Sequence, residues 1–381
     1  MRQRQRAGWS NLQQVGLRVV GLWCVVVWAV IGLASPSVSM AWPRDVKAIT
    51  HQGQRAMVYL PPKVHPDKPV PLLVGLHSWS TDYRQGRGVE LARWCIEHGW
   101  AFIHPNFQGG NRHPNATGSP RAIADVIDAV DYIKTQTHVD EDRIYAMGWS
   151  GGGMMGLLLA AHHPDIWAGI SVWGPVTDMY TWYDHVERHR RFNYTRDMKM
   201  TFGSRPGLDP KIDALYKQRS PLTHMAKARG IPIDIQVGIL DGTKKGPVPV
   251  NHALRAFNLL VSPEDQFTSE DMAFIDRHAS LPSTMPAQKL NATGYGRQVP
   301  IYRRTSGPVR LTLFMGGHAY MPEPGLRWLA KQRRSETLLR LGQQALVEQL
   351  GGVVTHWQAL MGAVVQVLFG PVQGLVAAFT L

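Results

Sequence analysis

Apolar residues follow two alternating spacings along this chain. Residues 70–76 form an unbroken apolar run, the pattern of a strand buried on both faces. Runs at 55–60, 100–104, 143–147, 167–173, 231–240 and 309–315 read the same way. Between them lie stretches with helical spacing: 89–98, 121–137, 154–163, 250–260 and 325–332. In 121–137 the residues Ile123, Val126, Ile127, Val130 and Ile133 share one face. Strand and helix in alternation predict an α/β fold, a mostly parallel twisted sheet with helices on both faces. Two segments break the rhythm. Residues 177–228 are rich in aromatic and charged side chains and predict a small helical cap. Residues 262–304 carry Pro, Ser and Asn without periodicity and predict an irregular loop with a short helix.

The two ends follow neither pattern. Arg2, Arg4, Arg6 and Arg18 precede or open an apolar run at 19–33, and small residues follow at 34–41. That is the layout of a secretory signal peptide, with cleavage after Ser39 or Ala41. An uncleaved anchor is the alternative, although the run falls short of the roughly 20 residues that a membrane span needs. Residues 349–381 contain no Asp, Glu, Lys or Arg, and from 353 onward they are mostly apolar. This tail is a candidate for membrane contact or for packing on the domain; its glutamines argue against a clean span. The expected layout is a signal peptide at 1–41, one catalytic domain at 42–334 and an apolar extension at 335–381, in a secreted or periplasmic protein.

Composition removes several function classes. The chain has 381 residues, 44% hydrophobic and 18% charged, which suits a sizeable folded core. The net charge is +13, but no dense Lys/Arg block or nucleic-acid motif occurs, so no nucleic-acid partner is expected. Of the two cysteines, Cys24 lies in the leader and Cys95 in a helical stretch. The mature chain then has no internal disulfide and no cysteine metal site. No metal or cofactor is expected.

The chemistry centres on Gly148-Trp149-Ser150-Gly151-Gly152. A serine flanked by glycines between a strand and a helix is the G-x-S-x-G nucleophile elbow. The tight turn pushes the hydroxyl above the sheet, and the helix behind it aims backbone N–H groups at developing negative charge. A serine hydroxyl needs a base, and the base needs a carboxylate to orient it. The candidate base is His318, which follows a strand and the pair Gly316-Gly317; His224, His252 and His278 compete with it. The candidate acid is Asp241 at the end of the 231–240 strand, with Asp178 as the substitute. The expected oxyanion donors are the N–H groups of Gly151 and Trp79. Trp149, Trp173 and Trp182 fall near strand ends or in the cap and are candidates for a substrate-stacking platform; the competing reading is core filling.

Over residues 55–334 the chain resembles the catalytic domain of the prolyl oligopeptidase-like α/β-hydrolases. The resemblance rests on Val139-Asp140-Glu141-Asp142-Arg143-Ile144 before the elbow and Gly174-Pro175-Val176-Thr177-Asp178 after it. It continues with Ser220-Pro221-Leu222 before the acid strand, Asp241 with Pro247-Val248-Pro249, and Gly316-Gly317-His318. It implies an α/β-hydrolase fold, a Ser150–Asp241–His318 triad and hydrolysis through an acyl-enzyme. Two places depart from the family: Ser78 stands where a glycine is common, and residues 242–246 are inserted after Asp241. The stretch between Ala41 and Arg55 is too short for the propeller that gates oligopeptidases. The implied substrate is a small ester, peptide or glycan ester, with a peptidase-family assignment first and an acetyl or feruloyl carbohydrate esterase second. From a different class, a non-catalytic envelope-binding protein on the same scaffold remains the alternative.

Overall fold

A computed structural model describes residues 41–336 and 339, apart from 63, 65 and 66. The leader and most of the C-terminal extension lie outside the described residues. The compact unit begins at Trp42. Its centre is a 9-stranded sheet. The strands are β1 (Lys47–His51), β2 (Gln54–Tyr59), β3 (Val70–Leu76), β4 (Ala101–Pro105), β5 (Val139–Trp149), β6 (Gly169–Trp173), β7 (Ile233–Gly238), β8 (Val299–Ser306) and β9 (Val309–Met315). Their order is β1-β2-β4-β3-β5-β6-β7-β9-β8. The run from β4 to β9 is parallel throughout, while β1, β2 and β8 are antiparallel additions at the two edges.

Both faces are covered, as the alternating pattern predicts. On β3, Leu72, Val74 and Leu76 point into one core with helices α2 (Pro120–Gln136), α3 (Gly151–His162) and α7 (Asn251–Leu260). Leu73 points the other way, into a core shared with α1 (Gly88–His98) and α9 (Pro322–Leu329). Successive strand residues face opposite sides, so one unbroken apolar run serves two cores. Helix α3 is buried from Gly151 to Ala161 and apolar on every side, as a helix at the centre of a domain must be.

The segment 177–228 forms three helices, α4 (Met179–Arg188), α5 (Phe192–Phe202) and α6 (Pro210–Gln218), followed by two short 3-10 turns. This agrees with the expected helical cap. The segment 262–304 differs from its reading in one respect: it holds the short helix α8 (Ser269–His278), but its end is strand β8. The early strand β1 also escapes the sequence pattern. Its burial is low and irregular, so it shows no apolar alternation.

The parallel strands send their carboxyl ends to one edge of the sheet. Loops after β3, β4, β5, β6, β7 and β9 therefore gather there, where open α/β sheets hold their ligands.

Candidate active site

Ser150 sits between β5 and α3 with φ 58° and ψ −116°, a left-handed backbone rare for a residue with a side chain. Three contacts hold it there. Its N–H donates to the Trp173 carbonyl at 2.8 Å. A Cβ on Gly148 would collide with the Gly152 carbonyl, and one on Gly152 would collide with the Leu76 carbonyl. Only glycines fit at both positions, so the glycines that mark the motif in the sequence are demanded by backbone packing. The Ser150 side chain makes no capping bond to its helix. Strain of this kind costs about 1–3 kcal/mol and persists only where the surroundings enforce it.

His318 follows β9. Its Nδ1 donates to Asp241 Oδ2 at 2.6 Å, with both side chains largely buried. Asp241 follows β7, and its other oxygen, Oδ1, accepts from the N–H groups of Gly242 (3.0 Å) and Val248 (3.2 Å). A carboxylate can only accept here, so Nδ1 carries the proton and Nε2 keeps its lone pair. Nε2 is buried and has no hydrogen-bond partner among the described residues. The imidazole lies next to the serine turn: its ring centre is 4.9 Å from that of Trp149. On the far side, a Cβ on Gly174 would fall 2.9 Å from Nδ1 and 3.1 Å from Asp241 Oδ2. Gly174 directly follows the carbonyl that holds Ser150.

The inserted residues 242–246 support this pair. The carbonyl of Lys245 accepts the His318 N–H at 3.2 Å, and the Arg191 guanidinium donates to the carbonyls of Thr243 and Gly246 at 3.4 Å each. Two of the competing residues, His252 and Asp178, have other duties. His252 is fully buried, and its Nδ1 accepts the Thr177 N–H at 3.0 Å; burial pushes its pKa down to about 3. Asp178 caps α4 through the N–H groups of Tyr180 and Thr181 and pairs with Arg255 at 3.0 Å.

The expected oxyanion donors are also close together. A Cβ on Gly151 would sit 2.7 Å from the Trp79 nitrogen. Gly151 opens α3, so its N–H belongs to the first turn that a helix leaves unpaired. The loop that carries Trp79 is pinned from several directions. The Ser78 N–H donates to Gln85 Oε1 at 2.9 Å, and Gln85 Nε2 donates back to Ser78 Oγ at 2.8 Å. Asn111 holds the Trp79 carbonyl through its own N–H (2.9 Å) and its Nδ2 (3.2 Å). His77 is fully buried, stacks on Phe107 at 3.8 Å, and faces the carbonyls of Ser78 and Asn106 at 3.0 and 2.8 Å. Burial keeps its pKa low.

Two of the three platform tryptophans are corrected. Trp173 and Trp182 are both 0% exposed. Trp173 packs among Tyr295, Phe314 and Tyr320, and Trp182 donates its Nε1 to the Pro247 carbonyl at 2.9 Å. Neither offers a ring face to a ligand; both fill core. Trp79 is likewise buried, edge-on to Trp182, and its Nε1 donates to Asp197 Oδ2 at 3.3 Å. Trp149 is half-buried beside His318, and its indole N–H has no hydrogen-bond partner among the described residues. The supports Asn111, Gln85 and Asp197 were not found by sequence reading. Their contacts span up to 118 positions of chain, and no local motif marks them.

Residues 93–281 match the prolyl oligopeptidase family. Among curated proteins, an uncharacterized peptidase YtmA of Bacillus subtilis is 28% identical over 173 residues, covering 45% of this chain and 60% of the relative. The putative esterase NocK of Nocardia uniformis is 33% identical over 108 residues, covering 26% of this chain and 31% of the relative. The chain thus spans less than two thirds of the length of either. Among solved structures, the acylaminoacyl peptidase of Pyrococcus horikoshii is similar with a TM-score of 0.44 and 13% identity, over 56% of this chain and 34% of that one.

Proposed function

Because residues 93–281 are a domain of the prolyl oligopeptidase family, we propose that this protein is a serine hydrolase that cleaves ester or amide bonds through an acyl-enzyme. In this reading Ser150 is the nucleophile, His318 the general base and Asp241 the group that orients it. Nε2 of His318 takes the hydroxyl proton as Ser150 attacks the carbonyl carbon of the substrate. The oxyanion that forms lies between the N–H groups of Gly151 and Trp79, which are fixed before the substrate arrives. His318 then gives the proton to the departing alcohol or amine. A water molecule, deprotonated by the same nitrogen, releases the acyl group and restores Ser150.

The observation that carries this reading is the 2.6 Å bond from His318 to Asp241, beside a serine held in a left-handed turn. The same arrangement serves a peptidase or an esterase, and the relatives include both kinds. Reaction with a fluorophosphonate probe tests the reading. Labelling of the wild type that disappears in Ser150→Ala is the expected result. Folded protein that resists the probe would instead support the binding-protein alternative. Export through the basic and apolar N-terminal segment is part of the same proposal.

A further inference from the structure

A polar cleft of about 490 Å³ opens beside the oxyanion loop. Its walls include Gln54 and Arg55 at the start of β2, Asp82 from the loop after β3, and Asn106, Arg112 and His113 from the loop after β4. None of its lining residues is aliphatic. The register pairs Ala56 of β2 with Pro105 of β4, which puts these walls on the carboxyl edge of β4, the edge that also carries Ser150. In the sheet, β4 and β5 are separated by β3 alone. Two strand spacings from β4 and three from β2 place the walls of the cleft about 10–15 Å from the nucleophile along that edge.

The charges in the cleft do not cancel. Asp82 is already matched: its Oδ2 pairs with the Arg84 guanidinium at 3.1 Å, and its Oδ1 accepts the Arg84 N–H at 2.9 Å. Arg55 and Arg112 have no carboxylate partner among the described residues. The Arg112 guanidinium lies against Gly110, where an added Cβ would fall 2.8 Å from Nη2, and it donates to the Ser80 carbonyl at 3.4 Å. Ser80 directly follows Trp79, so this cation is fixed to the loop that carries the expected oxyanion donor. Two guanidinium groups among planar amides suit a carboxylate, which they bind in bidentate fashion.

We infer that this cleft is a subsite for a carboxylate carried by the substrate about 10–15 Å from the scissile bond. The inference rests on the hydrolase reading and narrows it to acidic esters or amides. Arg55 and Arg112 are specificity residues in this scheme.

The test uses matched pairs of p-nitrophenyl or aryl esters of graded length, one member acidic and the other neutral. One series carries the carboxylate on the acyl side, the other on the leaving group. In at least one series the acid is expected to be preferred by about tenfold in kcat/KM, the worth of one good charge-assisted contact. Raised salt should shrink that preference. The double variant Arg55→Gln/Arg112→Gln should abolish it, and Arg55→Gln alone, which makes no contact with the Trp79 loop, should weaken it and leave the neutral esters within about twofold of wild type. Equal rates for both members in both series, or a preference that survives the double substitution, would overturn the subsite. Calorimetric binding of adipate gives a readout that does not need turnover. Binding that is lost in the double variant supports the subsite even in a chain that fluorophosphonate does not label, in which case the hydrolase reading fails alone. A labelled chain that shows neither adipate binding nor charge preference keeps the hydrolase reading and loses the subsite.

Discussion

Both oxygens of Asp241 are occupied, one by the imidazole and one by two backbone N–H groups. Asp241→Asn therefore cannot satisfy both sides. Its NH₂ must face either His318 Nδ1, forcing the wrong tautomer, or the donors of Gly242 and Val248. If the proposed roles hold, kcat should fall by about 10³- to 10⁴-fold in a protein that still folds. Steady-state kinetics beside a circular dichroism spectrum would check this; a loss of less than tenfold would remove Asp241 from the role. At this scale the sequence was most readable where chemistry constrains the backbone. Ser150 is announced by the glycines its turn requires, and Asp241 and His318 by their places at strand ends. Trp173 and Trp182, which the sequence leaves open between a platform and core filling, fill core. An aromatic residue at a strand end has the same local sequence whether it faces the cleft or the core. Asn111 was invisible, since an asparagine that holds a carbonyl 32 positions away leaves no local pattern.

Among the elements, helix α5 does more than cover the sheet. Its Asp197 accepts the indole N–H of Trp79 at 3.3 Å, and its Thr201 hydroxyl, which donates to the Asp197 carbonyl at 3.0 Å, also lies 3.4 Å from the Asn111 carbonyl. One cap helix thus holds the loop of Trp79 directly and touches Asn111, which holds the Trp79 carbonyl. Asp197→Ala leaves a buried indole N–H without its acceptor and frees the loop to shift. A fall in kcat of about tenfold is expected, equivalent to about 1.4 kcal/mol, with KM nearly unchanged. A rise in KM at constant kcat would mean that the helix shapes the binding surface instead. The parallel strands were legible because burial on both faces writes an unbroken apolar run. Strands β1 and β8 were not. Both are antiparallel edges, and β8 carries Pro300, Arg303 and Arg304, the residues by which exposed edges avoid pairing with other chains. What protects an edge also hides it from a search for apolar runs.

For the molecule as a whole, buried histidines set the response to acid. His104 is fully buried, and desolvation, reinforced by nearby His77, lowers its pKa from 6.5 to about 3; His252 is lowered to about 3 chiefly by burial. Above pH 6.5 both are neutral in folded and unfolded chains and contribute no pH dependence. Between about 6.5 and 3 the unfolded chain binds protons that the folded chain refuses. Stability should therefore decline as the pH falls through that window, by about 1.4 kcal/mol per pH unit for each histidine. Thermal midpoints should be level from pH 8 to 7 and drop steadily from pH 6 to 5, before carboxylates titrate. A level midpoint down to pH 5 would show that these rings are solvated.

The convergence of separate loops on one rim of the sheet has a consequence for descent. Ser150 with Gly151, His318, Asp241 and Trp79 hang from four different strands, and the cleft lined by Arg55 and Arg112 is built mainly by yet another loop. A lineage can recut one of these loops while the remaining ones keep their alignment. If the proposed roles hold, tastes can drift from one kind of molecule to another, and the bond-breaking apparatus need not be invented again.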